Sequence, residues 1–255
     1  MDKQGLLLCA KYAAAPNFFN YCGPDKNQSL IDHLKDNLAD KEITHLLSEF
    51  ETLYPYLTMI AYENEVKDPF DKKVVEAYWI GNNYLNNLLP KNYLSLLEEK
   101  LQLIKKIDRK SFVDIKKKVF SLKFLPHHNF HVINIFKNNQ LNKNIVKTMD
   151  ECRINYGRIQ NSSRLNRDKM QNYNSKIKNI FVKTKQLTIS DKQLSLKQFI
   201  LKEIKLDYKN KIFLHNLHVG DWVSFHWGMV CDKLTDRQVK NLEYYTQKAI
   251  AFYNS

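Results

Sequence analysis

The sequence predicts an α+β protein, with an all-α helical domain over residues 1–148 and a small antiparallel β-barrel plus C-terminal helix over residues 149–255. Three observations predict it. Apolar residues recur at i, i+3, i+4 and i+7 between residues 27 and 123. Past residue 150 the period drops to alternation over short runs rich in β-branched and aromatic residues. From Leu234 to Asn254 the helical spacing returns.

The helical segments are "SLIDHLKDNL", "EITHLLSEFETLYPYLTMIAY", "KKVVEAYWIGNNYLNNLL" and "NYLSLLEEKLQLIKKI". Asp68-Pro69 and Leu89-Pro90 separate them, because the residue before a proline is pushed out of the helical region. Ser29 and Thr44 have the side chains that cap helix starts. The strand segments are "CRINYGRI", opened by Cys152, then "KNIFVKTKQLTI", "KQFILKEIKL" and "DWVSFHW". Alternation in the last one puts Trp222, Ser224 and His226 on one face and Phe225 and Trp227 on the other. Thr235 or Asp236 caps the closing helix, whose apolar stripe includes Leu242, Tyr245 and Ile250.

A chain of 255 residues with 44% hydrophobic content buries a substantial core. It holds no apolar run of the roughly 18 residues a membrane span needs, so the expectation is a soluble, cytoplasmic protein without membrane partners. Four cysteines, at positions 9, 22, 152 and 231, form neither a disulfide framework nor CxxC pairs, so the thiols are expected to be reduced. The net charge of +13 is concentrated between Arg164 and Lys211, where 13 basic residues face 4 acidic ones. Such a run is a solvated face or a patch for nucleic acid, the latter helped by interleaved Tyr and Phe. No GxGxxG, Walker loop, GxSxG or HExxH is present, so nucleotide-driven or hydrolase chemistry of those kinds has no support.

Two clusters can carry metal chemistry. "PHHNFHV" places His127, His128 and His131 within five residues, and His127 and His131 share a face whether the segment is helix or strand. They would serve a metal-dependent enzyme, or else are polar residues satisfied by backbone. Near the start, "CAKYAAAPNFFNYCGPD" carries Cys9, flanked by Leu8 and Ala10 as in a helix core, and Cys22 on a turn able to reach a shared site.

The chain from Cys152 onward resembles hydrogenase-assembly chaperones of the HypC/HupF type on two ordered matches, "CRINYGRI" and "HVGDWVSFHWGMV". The resemblance implies an OB-like barrel with a helix, with Cys152 as the iron-binding cysteine and His226 as its functional histidine. Gly157, Gly220, Asp221, Trp222 and Gly228 match the structural pattern. The implied function is maturation of a hydrogenase or another metalloenzyme. In that reading an iron–cyanide–carbonyl group is held or handed on, and the partner is a hydrogenase large subunit or a maturation protein. Thiolate and imidazole suit such an ion, and Arg153 and Arg158 are near enough in sequence to keep the thiol ionised. Tyr156 stands where that family has Pro, and Cys152 is internal. The whole chain is also similar to an uncharacterised bacterial family, through "YCGP", "DPFD" with "VVEAYW", "HHNFHV" and the CR-I-x-x-GR strand.

Overall fold

In a computed structural model, residues 2–25, 29–135, 142–160 and 178–255 are described, and they form an α+β fold with the helices first and the strands after them. Residues 161–177, which include the first part of the basic run from Arg164 to Lys211, lie outside the described residues.

The chain begins with helix α1 (Lys3–Phe18), which the periodicity did not announce because Ala and Leu surround it on all sides. Asp2 caps it by accepting from Gln4 N and Gly5 N, and also accepts from Lys72 N at the start of α5 (Lys72–Trp79). A Cβ on Gly5 would sit 1.8 Å from the Phe70 carbonyl oxygen, so α1 crosses this turn as closely as backbone permits. Between them lie α2 (Ser29–Lys35), α3 (Lys41–Ser48) and α4 (Leu53–Glu63). The single helix expected over residues 42–62 is therefore two. Asp40, rather than Thr44, caps α3 through Glu42 N and Ile43 N. Then come α6 (Pro90–Ser95), continued by a π turn (Leu96–Lys100), α7 (Arg109–Ser121), α8 (His128–Phe130), continued by a π turn (His131–Ile135), and α9 (Lys143–Cys152).

Here the expectation for Cys152 is corrected: it is the last residue of α9, and strand β1 (Asn155–Ile159) starts three residues later. Asn142 caps α9 and its stripe buries Val146 and Met149, so the helical period runs past the break placed at residue 149. A buried pair secures the helix-to-strand turn. Arg153 Nε donates to Asp150 Oδ1 at 2.9 Å, Arg153 Nη2 donates to the Lys185 carbonyl, and Leu187 N donates to Asp150 Oδ1. With every charge hydrogen-bonded, the burial of the pair is tolerated.

Among the described residues five strands close on themselves in the order β1–β2–β3–β5–β4, with β2 (Asn179–Ser190), β3 (Gln193–Lys205), β4 (Trp222–His226) and β5 (Met229–Leu234). All pairings are antiparallel except that of β3 with β5, which run parallel at Lys205 and Met229 and so depart from the purely antiparallel expectation. A bulge between Lys185 and Leu187 lets the long β2–β3 hairpin change phase. Val182 faces the barrel interior, whereas Leu187 and Leu194 beyond the bulge join the core shared with the helices. The barrel holds its own small core, with Ile180, Val182, Ile204, Val223, Phe225 and Val230. Gly157 is required there, since a Cβ would meet that of Val182 at 2.9 Å. Helix α10 (Asp236–Asn254) closes the molecule, with Thr235 and Gln238 forming the capping box. No helix among the described residues is long and apolar enough to cross a membrane.

Candidate metal centre

Strand β4 alternates as its sequence indicates. Val223 and Phe225 point into the barrel, while Ser224 and His226 point outward and both meet Tyr12 of α1. Trp222 packs on the same shared core. Tyr12 OH lies 3.0 Å from Ser224 Oγ, and His226 Nδ1 donates to the Tyr12 carbonyl at 2.9 Å.

That carbonyl is free for a reason written in the sequence. In an α-helix it would accept from the N–H four residues on, and that residue is Pro16, which has none. The proton on His226 is thereby placed on Nδ1. Nε2 keeps its lone pair and has no hydrogen-bond partner although the ring is buried.

The turn after β4 brings this histidine to α9. Trp227 and Gly228 both have positive φ, +51° and +72°, as a tight type I′ hairpin requires. Trp227 N donates to the Glu151 carbonyl at 2.8 Å, and the Lys202 ammonium pairs with the Glu151 carboxylate at 2.6 Å. The hairpin tip therefore rests on the last turn of α9, beside Cys152. Contrary to its expected place on the opposite face, Trp227 turns back to line the same cavity as His226.

The third member comes from α8. Asn129 acts as a polar stitch: its Oδ1 accepts from Ile154 N, and its Nδ2 donates to the Ile154 carbonyl and to Thr246 Oγ1. This pins α8 to the chain just after Cys152. His128 Nε2 then donates to the Cys152 carbonyl at 2.9 Å, and Tyr78 OH donates to His128 Nδ1 at 3.2 Å. The rings of His128 and His226 lie 5.1 Å apart, with Trp79 against both.

The outcome is a cluster in which one ligand atom each from His128, Cys152 and His226 lies within 4.8 Å of the others. Ligands about 2.0–2.3 Å from one ion stand roughly 3.3–3.8 Å apart, so the cluster is within a small contraction of closing on a metal. Both histidines are held neutral by burial, His226 down to about 4 and His128 well below the ordinary imidazole value. Neutral imidazole is the form that ligates. Burial, with the Cys22 thiol nearby, pushes the Cys152 thiol up to about 12. The expected help from Arg153 and Arg158 is absent: Arg153 is spent on Asp150, and Arg158 donates to the Gly220 carbonyl and lies over Trp222. The thiol is protonated until a cation displaces the proton.

The cluster lines one side of a cavity of about 580 Å³. Its walls are mostly aromatic and apolar, with Tyr21, Phe50, Tyr78, Trp79 and Trp227, and Cys22 lies on the same wall. Cys22 stands outside the 4.8 Å cluster. The loop bearing it is tied down, because Asn17 Nδ2 donates to the Cys22 carbonyl and the Tyr21 ring packs on Trp227 at 4.3 Å. Cys9 is elsewhere, wholly buried in α1 and raised to about 12 by that burial.

The three clustered histidines go three ways. His127 is buried, with Nδ1 donating to the Leu125 carbonyl and its ring against Tyr245. His131 Nδ1 meets Tyr56 OH at 3.0 Å. Only His128, the one the periodicity separated from the others, joins the cluster. Gly220 and Asp221 serve the barrel: Gly220 N donates to the Ile159 carbonyl, and Asp221 accepts from His218 N and pairs with Lys233. Sequence reasoning missed Asn129, Tyr78 and Pro16, of which only Pro16, a proline in the last turn of an alanine-rich helix, carried a usable signal.

A family model described as a family of unknown function, DUF6390, matches residues 1–255, the whole chain. The chain belongs to that family. No curated protein and no solved structure matches it. Membership of one uncharacterised family over the full length is as the sequence blocks implied. The resemblance of the last two fifths to hydrogenase-assembly chaperones gains no support from these comparisons.

Proposed function

We propose that the protein binds one transition-metal ion of borderline or soft character, such as iron, zinc or cobalt, through Cys152, His128 and His226. The remaining coordination position faces the cavity. The observation that carries this is the convergence of one thiol and two neutral imidazoles, one of them with a buried ring nitrogen that has no hydrogen-bond partner, at the wall of a 580 Å³ cavity. Structural metal sites are closed by four protein ligands, whereas three ligands and an open side suit an ion that takes an exogenous ligand. A metal here takes the His128 lone pair that the Tyr78 hydroxyl now shares, so Tyr78 would reorient on loading.

The same geometry supports a second use, as a carrier of iron. Cys152 and His226, the two residues implied by the chaperone resemblance, are both in the cluster. Delivery to a hydrogenase subunit or maturation partner is then the function, with the open side holding the iron's own small ligands. The nucleic-acid reading has less behind it, since Lys178, Lys185, Lys202 and Lys211 of the basic run are tied to Asp207, Glu243, Glu151 and Asp32.

Protein purified without oxygen should carry or take up about one metal equivalent per chain, and cobalt loading should give a thiolate-to-metal absorption band. Cys152→Ala and His226→Ala should each weaken retention at least about tenfold, whereas His127→Ala and His131→Ala should not. Both ligand histidines are already neutral at pH 6, so only the thiol exchanges a proton, and affinity should rise about tenfold per pH unit up to pH 9. Undiminished retention by Cys152→Ala, or a pH-independent affinity, overturns the reading. Iron release only on meeting a partner would select the carrier over the enzyme.

A further inference from the structure

A second cavity of about 460 Å³ adjoins the metal-facing one, and the two share Thr52, His131 and Thr148 as walls. Their characters differ. The first is aromatic and contains the cluster, while the second is aliphatic, with Leu101, Leu103, Ile107, Ile135, Ile145 and Met149. Together they are a bilobed space of the size small-molecule sites occupy.

The aliphatic lobe has one cation at its wall. Lys106 is exposed, it lies near enough to His131 to lower that imidazole's pKa, and its ammonium has no ion-pair partner among the described residues. Among the described residues Lys106 is the only Lys or Arg lining either lobe, and an unpaired lysine beside an apolar lobe suits an anion that brings an apolar body with it. At the waist, His131 is tied through Nδ1 to Tyr56 OH, which in turn meets Tyr93 OH at 3.2 Å. The imidazole is neutral, so its other nitrogen is a fixed polar contact between the lobes and adds no charge.

We propose that the bilobed cavity binds a medium-chain aliphatic carboxylate with a soft metal-ligating group, such as a thiol, at its far end. The carboxylate pairs with Lys106, the chain fills the aliphatic lobe, and the far end passes His131 to the open position on the metal. This assignment rests on the metal reading above, because the thiol end has a partner only if the ion is there. A cysteine- and imidazole-ligated ion favours a sulfur donor at its open position over an oxygen one.

The test uses full-length cobalt-loaded protein and three probes: mercaptooctanoate, mercaptooctanol, which lacks the carboxylate, and octanoate, which lacks the thiol. Mercaptooctanoate should shift the cobalt spectrum and bind about tenfold or more tightly than either of the others. Lys106→Met, a surface change that leaves the fold alone, should erase its advantage over mercaptooctanol. Ile145→Trp, which fills the lobe, should weaken it about tenfold or more with cobalt binding unchanged. Equal affinity of mercaptooctanoate and mercaptooctanol, or indifference to Lys106→Met, overturns the proposal. Cys152→Ala separates the two readings. If it loses cobalt but still binds octanoate in a Lys106-dependent way, the lobe and the metal are both as described. If wild-type protein binds no cobalt yet binds octanoate in that way, the metal reading falls, and with it the span between the lobes.

Discussion

The two faces of β4 divide the labour of the molecule. Val223 and Phe225 point into the barrel and join its apolar core, whereas Ser224 and His226, one residue out of phase, meet α1 and carry the side-chain hydrogen bonds of the strand seen among the described residues. One face supplies cohesion through burial and the other supplies position through hydrogen bonds. A strand can do both because successive side chains point to opposite sides. The centre is built where the halves meet because the Tyr12 carbonyl of α1, left without its helical donor by Pro16, is there to orient the outward imidazole.

The sharpest way to break the comparison is acid. The outward face and its surroundings hold His127, His128, His131 and His226 as neutral rings, His131 half-buried and the others buried, with folded-state values of about 4 or, for His128, well below the ordinary one. Since the folded values lie below the unfolded 6.5, the unfolded chain binds more protons between those limits. Stability is full above about pH 6.5 and is lost as pH falls toward 4. Unfolding at pH 5 should take up between about three and four protons from these groups, and a denaturant series between pH 7 and 5 measures it. A double replacement of His128 and His226 by Phe should remove about two protons from that uptake. A flat stability profile would mean that these rings are not buried.

On the inward face the largest single loss should come from Phe225→Ala, which empties the centre of the small barrel core. Phe-to-Ala changes in packed cores cost about 3–5 kcal/mol. Denaturant midpoints should show this loss at pH 7 with no change in the proton uptake, which belongs to the other face. A change below about 1 kcal/mol would show that the barrel interior is not close-packed.

The fold was legible where periodicity was strong and local. The long hairpin, the alternation of β4 and the capped α10 all follow from spacing and cap residues. It was illegible where a pattern was interrupted for reasons outside its own window. The alanine-rich α1 shows no apolar stripe, the π turns shift the helical phase after Ser95 and after Phe130, and α9 carries its stripe on past residue 149. Spacing could not rank the three histidines, since a phase read from an ideal helix cannot say which ring a tertiary stitch such as Asn129 pulls inward. Cys152 and His226 were nominated from local motifs, and that they share a site depends on the Trp227 to Glu151 backbone bond, which no local pattern encodes.

The smallest effect is also the one that tests how the outward face is positioned. Pro16 leaves the Tyr12 carbonyl without its helical donor, and His226 Nδ1 takes the vacancy at 2.9 Å. Replacing Pro16 by Ala restores an N–H aimed at that carbonyl and so creates a competitor for it. A carbonyl has two lone pairs, so the imidazole is loosened rather than released. Metal affinity should then fall by about tenfold or less, at the mild end of what changes behind a ligand produce. The helix itself should gain, because proline is the poorest interior residue. The expected signature is opposite movement of two quantities in one variant, a higher thermal midpoint without metal and a weaker grip on cobalt. If both fall together, Pro16 is only a packing residue, and the orientation of His226 must come from the barrel side alone.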